Sequence, residues 1–495
     1  MENATLTPRR QGPEVPTPAD GAWRRRLSWP ALAFALLTVI TLVITFAYPT
    51  YPNYDTVYSL LWGRELLHGV TPSFDAYRAP TEHPLAVGFG MLLALLGESG
   101  DRAMVFAALA SFLALAAGLY RLGRAAFTPA IGFVAALILC TRLDFPFLAL
   151  RGYIDVTYLA FVVWAAALET ERPRRGYRVP VLLAGAALMR PEAWLIAGLY
   201  LLYAARPADW PRRIRLAVLA AVGPVVWVGL DFAVTGNPLF SLQHTSGLAE
   251  ELGRTRSASE VPSATIQFLR GLDTPVVFYA GLVGVLLALF FVPKRVRMPM
   301  ALLVVGVGTF FMVGAAGLSV IDRYLLVASL MLMVFAAVVV AGWSLLVPGR
   351  LRTAWIVLGA VVLVVGAAKT TTLINRAPFF SELSFRGDTH AALVDILKNP
   401  VVRKARSCGP ISTPSHKLIP EVRWIADLPA DQVLARSDPA SDAATSRGLA
   451  LLVTTRQTLL RQAVVEDSDT ALDNIPPEGF TRLAFNGTYA VYTSC

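Results

Sequence analysis

The sequence predicts a mainly α fold: a polytopic transmembrane helical bundle of about eleven spans with a small extracytoplasmic α/β domain at its C-terminal end. Three observations carry this expectation. Of 495 residues, 55% are hydrophobic and only 16% charged, against roughly 25% charged in an average soluble domain. Mean hydropathy is +0.55. The apolar residues gather into blocks of about 20, the length that crosses a ~30 Å hydrocarbon core, and this pattern stops near residue 371.

The elements follow from where the basic residues fall. Arg and Lys cluster at Arg24–Arg26, at Arg121 and Arg124, from Arg172 to Arg178, from Arg206 to Arg215, at Lys294, Arg295 and Arg297, and at Arg350 and Arg352. Basic residues in short loops mark the cytoplasmic side. Residues 1–28 are polar and Pro-rich and read as a disordered cytoplasmic N-terminus. Residues 29–47 form the first span, a signal anchor with its N-terminus inside. An outer loop occupies 48–101, and further spans are expected at 102–120, 129–148 and 154–170. The stretch 179–204 has basic clusters at both ends and Arg190-Pro191 in its middle. Two half-depth helices meeting at that break satisfy both facts, since broken helices are tolerated where they line protein or a wet cavity. The remaining spans are 216–234, 275–292, 298–317, 324–347 and 353–370, so that 29–370 is the membrane domain.

Residues 371–495 are richer in Pro, Ser, Asp and Thr and read as a soluble outer domain. Strands are expected near Leu449–Thr454 and Tyr489–Tyr492, and a helix over Thr389–Leu397. Cys408 and Cys495 both fall in it, and an oxidising outer side would let them close a long loop as a disulfide. Cys140 lies in an apolar block as a small buried hydrophobe. The net charge of +10 is spent on orientation, in clusters between apolar blocks, so a nucleic-acid partner is not implied. The expected location is the plasma (bacterial inner) membrane.

Ionisable groups are costly near hydrocarbon, so those held at a membrane surface are functional candidates. On this topology they collect on the outer side: Asp55, Glu82, His83, Arg151, Asp155, Arg190, Glu192, His244 and Arg323 among them. Asp55 opens a short helix whose Tyr58, Trp62 and Leu66 share a stripe. Glu82 and His83, with His244, could hold a divalent metal, though no cofactor is required by the pattern. Arg190 and Glu192 could pair across the helix break. Asp155 could act as a second acid or pair with Arg151 one helical turn away.

The first loop carries Tyr54-Asp55, then Leu66-Leu67-His68-Gly69-Val70-Thr71-Pro72, then Glu82-His83-Pro84-Leu85. In this order the motifs resemble the GT-C glycosyltransferases, in particular the protein O-mannosyltransferases and the lipid A aminoarabinose transferases. The resemblance continues through Leu188–Glu192 and Asp322–Leu325 and covers roughly 29–347. It implies a polyprenyl-phosphate sugar donor, an acceptor on the outer face (glycan, glycolipid or protein) and an inverting transfer with Asp55 as catalytic base. A carboxylate makes a hydroxyl nucleophilic by accepting its proton. The phosphate leaving group needs cationic help, for which Arg323, Arg190, Arg151 and His83 are candidates, with Tyr54, Tyr58, Glu82, Asp155, Glu192, His244 and Tyr324 lining the substrate site. The chain departs from these families at Thr56, where O-mannosyltransferases carry a second acid after the aspartate, and at His83-Pro84-Leu85, where aminoarabinose transferases have Lys-Pro-Pro. The sugar and acceptor therefore stay open. The competing class is a transporter or lipid flippase, which would show paired repeats and charges near span centres.

Overall fold

A computed structural model describes residues 28–376, 379–467 and 469–495; the expected disordered N-terminus lies outside them up to residue 27. The chain opens with α1 (Trp29–Ala47). A first loop follows, built around two short helices, α2 (Tyr54–Leu67) and α3 (Pro84–Ala94). Next come α4 (Gly100–Ala126), α5 (Pro129–Thr141), α6 (Asp144–Leu150), α7 (Ile154–Glu171), α8 (Arg178–Met189) and α9 (Glu192–Ala205). The membrane part ends with α10 (Trp210–Thr235), α11 (Phe240–Glu251), α12 (Val261–Phe291), α13 (Arg297–Ala315), α14 (Leu326–Ala341) and α15 (Arg350–Arg376).

Among the described residues, seven helical segments are long and apolar enough to cross a membrane, or eight if the bent pair α5–α6 counts as one span. The expectation of about eleven is not met by this measure. The difference lies in α7, which carries Asp155, Glu169 and Glu171, and in α8 and α9, which are 12 and 14 residues long. These two short helices do meet at the Arg190-Pro191 break, as the charge pattern requires.

The bundle closes around α14, which is apolar on every side and almost wholly buried, as a helix without a polar face must be. Lipid tails are as apolar as leucine, so helices in a membrane associate through close packing. Here Gly281 and Gly284 of α12 provide it: a Cβ on Gly284 would stand 1.9 Å from the Phe335 carbonyl oxygen. The loop helices use the same device. A Cβ on Gly63 of α2 would lie 2.2 Å from the Met91 nitrogen of α3, so this hairpin is fixed by backbone contact. α12 is broken at Thr274, which sits at φ +61° immediately before Pro275, whose ring disfavours helical geometry in the preceding residue.

The C-terminal region begins with α16 (Phe379–Lys398) and α17 (Pro400–Ala405). Its sheet has the order β2-β1-β3-β5-β4, with β1 (Ile411–Thr413), β2 (Val433–Ala435), β3 (Gly448–Val453), β4 (Thr481–Phe485) and β5 (Tyr489–Ser494). β1 pairs in parallel with β2 and β3, while β5 is antiparallel to β3 and β4. The expected strands are β3 and β5, and the expected helix is the second half of α16. Cys408 and Cys495 are joined by a disulfide across 87 residues of sequence.

This domain is seated on the first loop. Its helix α18 (Ile419–Ala426) packs against α2. Arg64 pairs with Asp427 at 2.8 Å and lies over the Trp424 ring; the buried Arg423 pairs with Glu65 and donates to Ser73; Arg78 reaches Asp469 at 3.2 Å. Burying two charges is costly unless each is satisfied by the other. These pairs therefore fix where the domain sits more than how stable it is.

Candidate active site

The charged residues singled out in the sequence come from five separate segments, nearly all at helix ends. Asp55 lies in the first turn of α2, whose cap is Asn53: the Asn53 side chain accepts from the Thr56 nitrogen at 3.3 Å and from Thr56 Oγ1 at 2.5 Å. A carboxylate is favoured there by the helix dipole. The same cap ties α2 to the turn before α7, because Asn53 N donates to the Arg151 carbonyl at 2.7 Å and Thr56 Oγ1 to the Gly152 carbonyl at 2.9 Å. Asp155 occupies the first turn of α7, and Arg190 and Glu192 flank the break between α8 and α9. Arg323 stands in the 3-10 turn Asp322–Leu325 that leads into α14.

The fold brings these groups together. Arg323 donates to Asp55 Oδ2 at 2.8 Å and lies 3.5 Å from Asp155 Oδ2. Arg190 pairs with Asp155, and with Glu192 at 2.9 Å. The Arg190 guanidinium covers the Tyr324 ring at 5.0 Å, and that of Arg323 faces the Tyr153 ring at 5.6 Å. The result is a chain Asp55–Arg323–Asp155–Arg190–Glu192 alternating in sign. Asp155 is fully buried, whereas the Asp55 and Arg323 side chains stay 18% and 26% exposed. The open end of the chain is therefore the Asp55–Arg323 pair.

Burial would raise the Asp55 pKa, but the Arg323 charge and hydrogen bond, with His83 and Lys417 nearby, outweigh it and hold the carboxyl below its ordinary value. Asp55 is thus ionised at neutral pH. His83 sits within the same field. Burial, and next the positive charge of Arg190, bring its ring down to about 4, so any help to a phosphate would be a hydrogen bond and not a charge.

Other expected residues go elsewhere. Glu82 accepts from Trp227 Nε1 at 2.9 Å, and Ser241 bridges it to Asp231. Burial and the adjacent Asp231 push Glu82 up to about 8, so Glu82 keeps its proton at neutral pH. His244 approaches the Ala79 carbonyl at 2.9 Å and stacks on Phe240. Among the described residues no group of three or more His, Cys, Asp or Glu side chains is placed to hold a metal ion. The carboxylates nearest Asp55 are engaged by arginines. Tyr54 donates to the Arg78 carbonyl at 2.9 Å, and Tyr58 is fully buried against Trp62, so both serve the packing of the first loop. Arg151 lies over the Tyr51 ring at 4.3 Å instead of pairing with Asp155. Asp155 turns to Arg190 and Arg323 instead.

Two contributors were not singled out in the sequence. Lys417, from the C-terminal domain, lies 5.3 Å from the Tyr54 ring centre and pairs with Glu466 at 3.0 Å, within the field of Asp55. Tyr153 supports Arg323. No periodicity or motif marks Lys417, since only tertiary packing brings its domain to the first loop. Beside the cluster runs an apolar cleft of about 270 Å³ lined by Leu85, Phe89, Met104, Tyr153, Ile154 and Met189. Four of these are within two residues of His83, Asp155 or Arg190.

A membrane helical bundle, a first loop with two short helices and a C-terminal sheet domain packed on them is an arrangement shared with proteins of known structure. The fold is similar to that of ArnT from Cupriavidus metallidurans, at a TM-score of 0.55 and 14% identity over 93% of this chain and 97% of that one. ArnT bound to undecaprenyl phosphate aligns with TM-score 0.55 and 13% identity, over 93% and 98%. The Archaeoglobus fulgidus oligosaccharyltransferase has TM-score 0.54 and 13% identity, over 95% of this chain and 75% of that one. At these identities the likeness establishes the fold. No protein-family model matches the sequence, and no curated protein does.

Proposed function

We propose that this protein is a membrane glycosyltransferase that moves a sugar from a polyprenyl-phosphate donor to an acceptor on the face that carries the C-terminal domain. The observation that supports it most is the ionised Asp55 carboxylate held 2.8 Å from Arg323 at the open end of a buried charge chain, with an apolar cleft alongside. Lipid-bound members of the same fold point the same way: ArnT binds undecaprenyl phosphate, and the archaeal enzyme AglB is seen with a dolichol-phosphate.

In this reading the prenyl chain enters the cleft beside Leu85 and Ile154, and Arg323, with Arg190 behind it, faces the phosphate. The acceptor hydroxyl attacks the anomeric carbon from the side opposite the phosphate. Its proton passes to Asp55, the carbon–oxygen bond to phosphate breaks, and the electron pair leaves on the phosphate as a monoester. Attack from the far side inverts the anomeric centre. Positioned cations aid a leaving phosphate because its charge grows in the transition state, and a bidentate guanidinium suits that geometry. The N-terminus is then cytoplasmic and the C-terminal domain lies outside a bacterial plasma membrane.

The test is direct. Purified protein in lipid nanodiscs is given polyprenyl-phosphate-linked mannose, arabinose, galactose or an amino sugar, with envelope glycolipid, glycan or protein fractions as acceptors. Release of polyprenyl phosphate coupled to an acceptor mass shift, and abolished in Asp55→Asn, supports the reading. Donor turnover that is identical in the variant overturns it.

A further inference from the structure

A second cleft lies between α5, α12, α14 and α15, away from the charge chain. It encloses about 310 Å³ and is apolar along its length, with Leu137, Val277, Ala280, Ala336 and Leu363 on its walls. Its polar end carries Arg142, Thr274 and Lys369. Arg142 is only 4% exposed. Its NH1 donates to the Asp273 carbonyl at 3.2 Å and to Thr274 Oγ1 at 2.8 Å, and its NH2 to the Thr141 carbonyl at 3.1 Å. Its Nε has no partner. Asp144 and Asp273 lie within electrostatic reach of the guanidinium, but neither pairs with it. The Asp273 carboxylate accepts from Ser329 at 2.7 Å instead.

The two cations sit at a defined depth. Lys369 is 19 residues along α15 from Arg350 (369 − 350), which is about 28 Å at ~1.5 Å per residue. Arg142 follows the 13 residues of α5, about 20 Å from that helix's start. Against a hydrocarbon core of ~30 Å, Lys369 falls near one rim, where lipid phosphates begin, and Arg142 lies about 10 Å deeper. The walls open sideways: Leu137 and Leu363 are 41% and 47% exposed. An occupant must therefore be resident in the bilayer, with an anionic head at the rim and apolar chains below it.

We infer that this cleft is a binding site for an anionic glycerophospholipid, which inserts an acyl chain between α5, α12 and α15 and sets its phosphodiester against Arg142 and Lys369. The phosphate would face the Arg142 and Lys369 side chains that line this end of the cleft. It would also bridge α15, the last membrane helix before the C-terminal domain, to the Thr274 kink of α12. The prenyl donor has its own cleft beside Asp55 and is not needed here.

The test uses the full protein, delipidated in detergent and titrated with phosphatidylglycerol or phosphatidylcholine, with bound lipid counted by native mass spectrometry. Two variants separate charge from space. Lys369→Gln removes an exposed rim cation, and Gly366→Phe fills the cleft at a position where a Cβ meets no atom within 4 Å. We expect phosphatidylglycerol to be retained at least fivefold over phosphatidylcholine, and each variant to lower that retention about fivefold or more. Equal retention of the two lipids, or phosphatidylglycerol binding unchanged in Lys369→Gln, overturns the inference. So does displacement of phosphatidylglycerol by stoichiometric undecaprenyl phosphate, which would make the cleft the donor's. Glycosyl transfer is not a readout, so the outcome is independent of the proposed reaction.

Discussion

Replacing Asp55 by Asn changes one heavy atom, keeps the shape at the start of α2 and removes the proposed proton acceptor. A positioned general base contributes typically 10²–10⁴ in rate, which is about 2.7–5.5 kcal/mol of barrier. The structural cost is smaller. The pair with Arg323 is partly solvated, at 18% and 26% side-chain exposure, so its loss costs about 1 kcal/mol, and Arg323 can close on Asp155, now 3.5 Å away. Steady-state transfer by wild type and variant, normalised to folded protein, separates the two effects. The expected result is kcat lower by about 10²–10⁴ with the donor KM changed by less than about threefold. The pH profile has a definite sign. Because the Asp55 carboxyl lies below its ordinary value, the carboxylate is ionised throughout pH 5–8. Its pairing stabilises the fold above the unfolded pKa, and that contribution disappears as pH falls through the folded one. A variant that keeps kcat within threefold of wild type at equal abundance would refute the assignment of Asp55.

Four further outcomes follow from the same geometry. Arg190→Gln leaves Asp155 and Glu192 buried without their shared cation, a loss of about 3–5 kcal/mol for a broken buried pair, seen as a lower melting temperature; Arg190→Lys should recover part of it. Glu82, at about 8, keeps its proton in the folded state while the unfolded chain loses it near pH 4.5. Its contribution to stability should therefore decline between those values, by at most about 1.4 kcal/mol per pH unit. Thermal unfolding of Glu82→Gln across pH 5–8 should gain on wild type as pH rises. Cys495→Ala opens a loop of 87 residues and should destabilise the C-terminal domain by up to about 4–5 kcal/mol, measured as faster tryptic cleavage. Lys417→Ala should raise the KM of one substrate while leaving the melting temperature within a degree or two, because its partner Glu466 also holds Arg254 at 2.8 Å.

Much of this arrangement could be read from the chain because hydrocarbon imposes few solutions. Apolar blocks with basic clusters between them mark a multi-pass membrane protein, and Arg190-Pro191 between two short apolar stretches could only be a break. The span count was less legible. α7 was expected as a span but carries Asp155, Glu169 and Glu171, and α8 and α9 are too short to cross alone. Among the site residues, Asp55, Asp155, Arg190, Glu192 and Arg323 were all visible as ionisable groups at helix ends, where exposure to hydrocarbon makes a charge conspicuous. Tyr54, Tyr58, Arg151 and His244 were equally conspicuous, yet they pack the first loop and its surroundings. Residue type and position alone do not separate the two groups.

Composition, block length and charge pattern by themselves determined a polytopic α-helical membrane protein with a polar C-terminal domain, since each term depends only on local sequence and the thickness of the bilayer. Which acid meets which base was decided in three dimensions. Asp155 prefers Arg190 and Arg323 to the nearby Arg151 because the α8–α9 break and the turn before α14 converge on the start of α7. Lys417 reaches Tyr54 only because ion pairs through Arg64, Arg78 and Arg423 seat its domain on α2. Coulomb energy depends on distance through space, and the order of residues along the chain does not contain that distance.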